Sequence, residues 1–243
     1  SEVAAPTAAT KWRAPKTGRV MIHEVLAANG SAHEHRGGYP DMIELYNPGS
    51  DLVSLAGLSL SDDPAKPGQF IFPVGAELAA GGYLLLYADN QHVENEWHVG
   101  FGLKQEGETL TLFDQADATG KRVVLDQVSF GPQIPGLSIG RGGNELAVWA
   151  LTMPTLGAAN ESMPVATPGA VRINEWLACP KAHYGTDFIE LINPTPTPVA
   201  LAGTSLTSDS INAPQEMVFP PLSYIGAKDL LLLESLGKKR SQR

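Results

Sequence analysis

The sequence predicts an all-β protein, built as a sandwich or barrel of short strands. Three observations carry this. Apolar runs recur about every 8–15 residues from Val20 onward, with Gly, Pro, Asn and Asp between them, the spacing of strands joined by turns. The chain has 25 glycines and 19 prolines, about 18% of its 243 residues, against a usual ~12%, so turns are many and long helices few. Some runs also alternate strictly: in Thr109–Phe113 the even positions Leu110 and Leu112 are apolar, as in a strand buried on one face.

In chain order, residues 1–18 are rich in Ala, Pro and Thr without apolar periodicity, and read as a tail or linker. Strand runs follow at 20–27, 41–47, 52–62, 69–73, 81–89, 108–114, 122–130 and 137–141. Only 88–98 could be helical, and it is polar with no 3.6-residue period. The predicted core contains Ile22, Val25, Ile43, Leu45, Leu55, Leu60, Phe72, Leu85, Leu110, Leu112, Val128 and Trp149. Residues 161–170 form a second Pro-containing linker. Within 41–47, Ile43, Leu45 and Asn47 share one face, while Met42, Glu44 and Tyr46 share the other. Glu44, a charge in mid-strand, needs partners. Arg141 is the expected one, with Glu24 close by.

Composition bounds the rest. The chain is 43% hydrophobic and 18% charged, enough apolar material for a core in one or two domains. Its net charge is −9, which argues against nonspecific nucleic-acid binding. One cysteine, Cys179, excludes an internal disulfide framework and a cysteine-based zinc site. No run approaches the ~18 apolar residues of a membrane span. The given chain opens Ser1-Glu2-Val3, without the basic and apolar regions of a signal peptide.

The strongest organisational signal is an internal repeat. Ile22-His23-Glu24-Val25-Leu26 matches Ile173-Asn174-Glu175-Trp176-Leu177, and 41–48 (DMIELYNP) matches 187–194 (DFIELINP). Residues 53–60 match 199–206, Phe72-Pro73 matches Phe219-Pro220, and 84–86 match 231–233. Offsets of 151, 146 and 147 place the length differences in loops.

These residues resemble the lamin tail domain family. Its pattern runs I-N-E-V, D-W-I-E-L-x-N, L-x-G-x-x-L-S-D, F-P-x-G, then G-E-x-L-x-L, S-x-G-R, W and T-P-G-x-x-N. Glu24, Asp41, Glu44, Asn47, Gly57, Asp62, Phe72, Gly107, Ser138, Arg141, Trp149 and Asn160 fall on it in the first copy. Glu175, Asp187, Glu190 and Asn193 fall on it in the second. Met42 replaces the usual Trp, His23 the Asn and Leu156 the Pro. The resemblance implies an immunoglobulin-like β-sandwich over 19–160. A partial second domain follows at 171–243, lacking the G-E-x-L-x-L half. Glu24, Asp41, Glu44, Asn47, Arg141 and the second-copy equivalents are expected to be structural motif residues. Half a sandwich would leave apolar faces and strand edges in water, so the second copy is expected to be a fragment or to be covered by another copy.

Candidate chemistry is sparse. Gly136–Gly140 fits G-x-S-x-G, but a nucleophile elbow needs a helix after the serine, and Gly-rich turn sequence follows. His33 and His35 suit a transition metal by ligand type, yet sit in a Gly-rich loop, where solvation is the plainer reading. Asp62 and Asp63, like Ser208-Asp209, could offer oxygens to Ca2+; a turn after a strand explains them equally. Asn29-Gly30-Ser31 and Asn160-Glu161-Ser162 are glycosylation sequons. Lysines and arginines at both chain ends read as solvated tails. Residues 19–160 carry 17 acidic and 7 basic side chains, which repels phosphate.

Three functions stay open. The first is a non-catalytic interaction or adhesion module of a larger bacterial protein, exported or surface-attached, with a protein or polysaccharide partner; a homodimer through the partial second domain belongs here. By resemblance, lamin tail domains bind proteins and, in nuclear lamins, DNA and chromatin, so a tethering role stands beside it. The second is a carbohydrate-binding accessory module of a multidomain hydrolase, with Trp97, Tyr39 and Tyr87 as aromatic platform. The third is a metal-dependent hydrolase, for which no catalytic constellation is visible. No cofactor is expected, with Ca2+ as the sole candidate.

Overall fold

The computed structural model describes residues 20–142, 146–178, 187–208, 211–213 and 215–234. The tails with their basic clusters, Cys179 and Asp209 lie outside the described residues. The protein is all-β. Eleven strands make the first copy: β1 Met21–Leu26, β2 Asp41–Tyr46, β3 Val53–Ser54, β4 Ser59–Ser61, β5 Phe70–Ile71, β6 Glu77–Leu78, β7 Tyr83–Ala88, β8 Glu108–Phe113, β9 Val124–Phe130, β10 Ser138–Arg141 and β11 Trp149–Thr152. A 3-10 turn at Pro168–Ala170 precedes the second copy: β12 Arg172–Leu177, β13 Phe188–Ile192, β14 Val199–Ala200, β15 Ser205–Leu206, β16 Met217–Val218, β17 Tyr224–Ile225 and β18 Leu230–Glu234.

The first copy is an immunoglobulin-like sandwich. One sheet has the order β11-β10-β1-β2-β7 and the other β5-β4-β8-β9, with β3-β6 as a small third ladder. All named pairings are antiparallel. The strict alternation expected at Thr109–Phe113 does not hold: β8 lies between β4 and β9 and is buried from Leu110 to Phe113, Thr111 included; it is β9 that alternates, with Asp126, Val128 and Phe130 buried. The core between the sheets holds Ile22, Val25, Ile43, Leu45, Leu55, Leu60, Phe72, Leu110, Leu112 and Val128. Two predicted core residues differ. Leu86 is fully buried, whereas Leu85 is only partly so. In a run of three leucines sequence cannot fix the phase of the strand; pairing of Ile43 with Leu86 does. Trp149 is half-buried at the sheet edge against Arg141. The stretch after Ala88 is turns, not helix.

Strands β12–β18 of the second copy repeat β1–β7 of the first copy, strand for strand. Sheet β12-β13-β18 reproduces β1-β2-β7, β14-β17 reproduces β3-β6, and β15-β16 reproduces β4-β5. Even the irregularity recurs. The ladder slips between Ile22 and Glu24 in one copy and between Ile173 and Glu175 in the other, a β-bulge at the same sequence position. Its own core is small: Leu191, Val199, Leu201, Phe219 and Ile225.

The segment 161–170, expected to be a linker, is tied down at both ends. Met163 donates its N–H to Leu151 (2.8 Å), and Ala166 exchanges hydrogen bonds with the backbone at Pro198 and Ala200. The two copies also touch directly. Tyr224 is buried in the first copy's core, its phenol pushed up to about 12 by desolvation. Its N–H donates to Pro132 O (2.9 Å), Gly131 donates to Pro221 O (3.1 Å), and Gln133 Nε2 donates to Leu222 O (2.7 Å). Gly131 is required here, because a Cβ would run into Ser223 and stand 3.1 Å from Pro220 Cδ. Gly131→Val should therefore release the turn 220–224. Amide exchange at Tyr224 should rise while β8 and β9 stay protected; unchanged exchange at Tyr224 would contradict this docking.

Candidate functional site

Three groups of polar or exposed side chains stand out. The first is a buried network that closes the sandwich. The bulge in β1 sets Glu24 directly opposite Glu44, and both are fully buried. Two like charges facing each other would repel, so each has its own donors. Ser138 Oγ donates to Glu24 (2.5 Å), as do Thr155 N (3.1 Å) and Thr155 Oγ1 (3.2 Å). Glu44 takes His23 Nδ1 (2.8 Å) and the N–H of Gly157. Asn160 Nδ2 donates to the carbonyls of His23 (3.1 Å) and Arg141 (3.2 Å). The segment after β11 thus folds back over β1 and is held there by two carboxylates.

Arg141 is not the partner of Glu44, as the sequence suggested. It crosses the interior to Asp126 on β9, at 2.8 and 3.0 Å, and its Nε donates to Ile22 O (2.8 Å). Asp126 also accepts from Ile22 N (2.8 Å). Burial pushes the Asp126 carboxyl up and the Arg141 guanidinium down, and their mutual attraction opposes both shifts. Nothing in the motif pattern pointed to Asp126; an acid at an inward position of an alternating strand was the available signal.

Asn47, Asn193 and Asp41 hold neighbouring loops by hydrogen bonds. Asn47 donates to the carbonyls of Asp51, Leu78 and Ala79, and Asn193 repeats this with Thr197 and Gly226. Asp41 accepts the N–H of Asn29 (3.0 Å) and of Leu103 (3.3 Å), and burial raises its carboxyl. Glu190 accepts from Asn174 Nδ2 (2.5 Å), while Glu175 lies exposed and Asp187 sits just before β13. Ser138 is a strand residue committed to Glu24, which disposes of the nucleophile-elbow match. Both sequon asparagines are buried in hydrogen bonds, closed to a glycan in the folded protein.

Desolvation raises the Glu24 carboxyl above its ordinary value, outweighing its hydrogen bonds. The folded state then holds this proton more tightly than the unfolded one, whose carboxyl titrates near ~4.3. The stabilisation is present below that value and is lost as pH rises through the folded one. Lowering pH from about 7 toward 5 should therefore stabilise the wild type relative to Glu24→Gln, measured as the difference in melting temperature. An equal pH response in both proteins would contradict the assignment.

The second group lies on loops at one end of the sandwich. His35, between β1 and β2, meets Glu96 and His98, between β7 and β8, and their ligand atoms all lie within 4.8 Å of one another. Glu96 Oε2 is 2.7 Å from His35 Nε2 and 3.2 Å from His98 Nε2. Arg36 holds the other oxygen (2.6 Å), and its hydrogen bonds bring the Glu96 carboxyl down to about 2. Of the four weak metal candidates from sequence, only His35 joins this group. His33 bonds through its backbone to Asn29. Asp63 accepts from Ala65 N (2.9 Å) and pairs with Lys66 (3.2 Å), the turn reading. Neither it nor Asp62 enters a ligand cluster among the described residues. Sequence missed Glu96 and His98 because some 60 residues separate them from His35; the dispersed histidines were the only hint.

The third is the open sheet of the second copy. β1 is buried at every position, whereas β12 is exposed at all but its last. Trp176 is 70% exposed and Ile173 56%. With Leu177, Ile189 and Leu233 they line a groove of about 680 Å³. The sequence-proposed aromatic platform is not free in the same way. Trp97 packs against Phe72 (5.8 Å) and Tyr87 is stacked under His35 (3.9 Å); only Tyr39 is exposed.

No helix among the described residues is long and apolar enough to cross a membrane. Compared with known families, residues 13–132 match the model described as Lamin Tail Domain. No curated protein and no solved structure matches the chain. The matched segment stops short of β10 and β11, which the structure adds to the same sheet.

Proposed function

Residues 13–132 are a lamin tail domain, an immunoglobulin-like module of a class not typically catalytic, and on that premise we propose that the chain is a protein-interaction module. Its binding element is the open edge and face of β12. One observation carries this: among the described residues, the same strand is covered in the first copy and bare in the second. On β1 the free edge is taken by β10, with Glu24 opposite Gly140 and Val25 opposite Ile139. Among the described residues, no strand pairs with the corresponding edge of β12. A partner that adds an extended strand with alternating apolar side chains would supply backbone hydrogen bonds along the edge and cover Ile173 and Trp176.

The unpaired backbone edge of β12 beside Trp176 favours such a strand over a sugar, because only a strand uses those backbone groups. That ranks the carbohydrate-binding reading second. The acidic body disfavours phosphate, hence a nucleic-acid tether. The tandem of modules supports placement in a larger exported or surface-attached protein, and the resemblance supports a bacterial one.

A peptide with the sequence 136–152, the β10–β11 hairpin, is the probe. Titrated into the full chain, it should bind measurably by calorimetry, and Trp176→Lys should abolish binding without changing the melting temperature. Absence of binding to a monomeric chain would overturn the reading. Concentration-dependent dimerisation that Trp176→Lys abolishes would replace the foreign partner with a second copy of this chain.

A further inference from the structure

We propose that His35, Glu96 and His98 form a zinc site that clamps the β1–β2 loop onto the β7–β8 loop. Two imidazoles and one carboxylate suit Zn2+ and other late divalent metals, not the oxygen-seeking Ca2+. Three separate features of the geometry fit a metal.

The first is convergence. His35 Nε2, His98 Nε2 and Glu96 Oε2 lie within 4.8 Å of one another, close enough for one ion at ordinary zinc–ligand distances of about 2.0–2.2 Å. Three protein ligands leave a fourth position, at the surface, for water or a partner's side chain.

The second is the shell behind the ligands. His98 is nearly buried, and its Nδ1 is 2.6 Å from Asp89 Oδ1. A carboxylate on one ring nitrogen fixes the tautomer and turns the other nitrogen's lone pair outward. Here that lone pair faces Glu96 Oε2, itself an acceptor. Two acceptors 3.2 Å apart require a cation or a second ring proton between them. Asp89 Oδ2 is moreover the buried side-chain oxygen without a hydrogen-bond partner among the described residues, which leaves the second carboxylate's charge incompletely compensated.

The third is orientation. Arg36 holds Glu96 mainly through Oε1, at 2.6 and 3.0 Å, with a longer contact from its Nε to Oε2 at 3.3 Å, so the carboxylate is fixed with Oε2 turned toward the two imidazoles. Tyr87 stacks on both rings, 3.9 Å from His35 and 5.1 Å from His98. The donors are therefore held in place by groups that do not themselves ligate. This site is remote in sequence from β12 and independent of the proposed binding function.

The test is zinc uptake by the full chain after chelation, followed by calorimetric titration with ZnCl2 and by the visible d–d bands of bound Co2+. One zinc per chain is expected, with bands of a four-coordinate ion and a melting temperature that rises with zinc concentration. His35→Ala and Glu96→Gln, both at partly exposed positions, should each abolish stoichiometric uptake. Asp89→Asn should weaken it about 10–100-fold, as expected of a group that orients a ligand. His98→Ala removes a nearly buried ring, so the surface variants carry the test. Folding of each is checked by its melting temperature without metal. No uptake by a folded wild type would mean that protons alone hold the three side chains together. Uptake unchanged in His35→Ala and Glu96→Gln would place the zinc elsewhere. Either result overturns the proposal.

Discussion

Asp126→Ala should be among the most damaging single substitutions in the first copy, costing about 3–5 kcal/mol. The deletion removes the acceptor for Arg141 and for the Ile22 amide together. Arg141 is almost completely buried and cannot rotate to water without opening the sandwich. A buried guanidinium that has lost its carboxylate on β9 is the main penalty, larger than the net contribution of the intact pair. The variant should therefore melt far below the wild type, at about 2–4 °C per kcal/mol for a chain of this size. Removing both charges, as in Asp126→Ala with Arg141→Met, should recover much of the loss, because the buried guanidinium leaves together with its carboxylate. Thermal melts of the single and double variants check this. Equal stability of the single variant and the wild type would show that the pair is not sealed from solvent.

Phe72→Ala and Phe219→Ala delete the same side chain at equivalent places of the repeat, yet should behave differently. Phe72 is fully buried, edge-on to Phe70 (4.9 Å) and beside Trp97 (5.8 Å), in a core that spans both sheets. Its loss should cost about 3–5 kcal/mol and lower the melting temperature of the whole first copy. Phe219 is one of five buried residues in a much smaller cluster. Losing it removes a large share of the apolar contact that holds 199–225 together. The expected result is local: collapse of protection in β14 to β17, with β1, β2, β8 and β9 unaffected. Residue-resolved hydrogen exchange on both variants distinguishes the two outcomes. Global unfolding in Phe219→Ala would mean that the first copy depends on its neighbour for stability.

The strands and the repeat were legible because hydrophobic period and turn residues are local signals. Asn47 and Asn193 illustrate the point, since each cross-links its own turn and the surrounding D-x-I-E-L motif marks both. What was not legible depends on long-range pairing. The partner of Arg141 lies on β9, 15 residues back, and only sheet topology brings it under β1. His35 meets His98 for the same reason, through the β2–β7 ladder that aligns Asp41 with Ala88. The docking of the turn 220–224 rests on Gly131 and on a tyrosine whose burial no periodicity announces. Residues 161–170 have linker composition, yet backbone hydrogen bonds to both copies give them order that composition does not encode.

Among the described residues, the second copy carries counterparts of β1–β7, docks on the first through the turn 220–224 and leaves one edge of β12 unpaired. Hydrogen exchange of the free full chain, with its mass measured in the same solution, tests this most directly. The account predicts a monomer with slow amides in β1, β2, β8, β9 and at Tyr224, and fast amides on the free edge of β12. Slow exchange throughout Arg172–Leu177 in a monomer would contradict it.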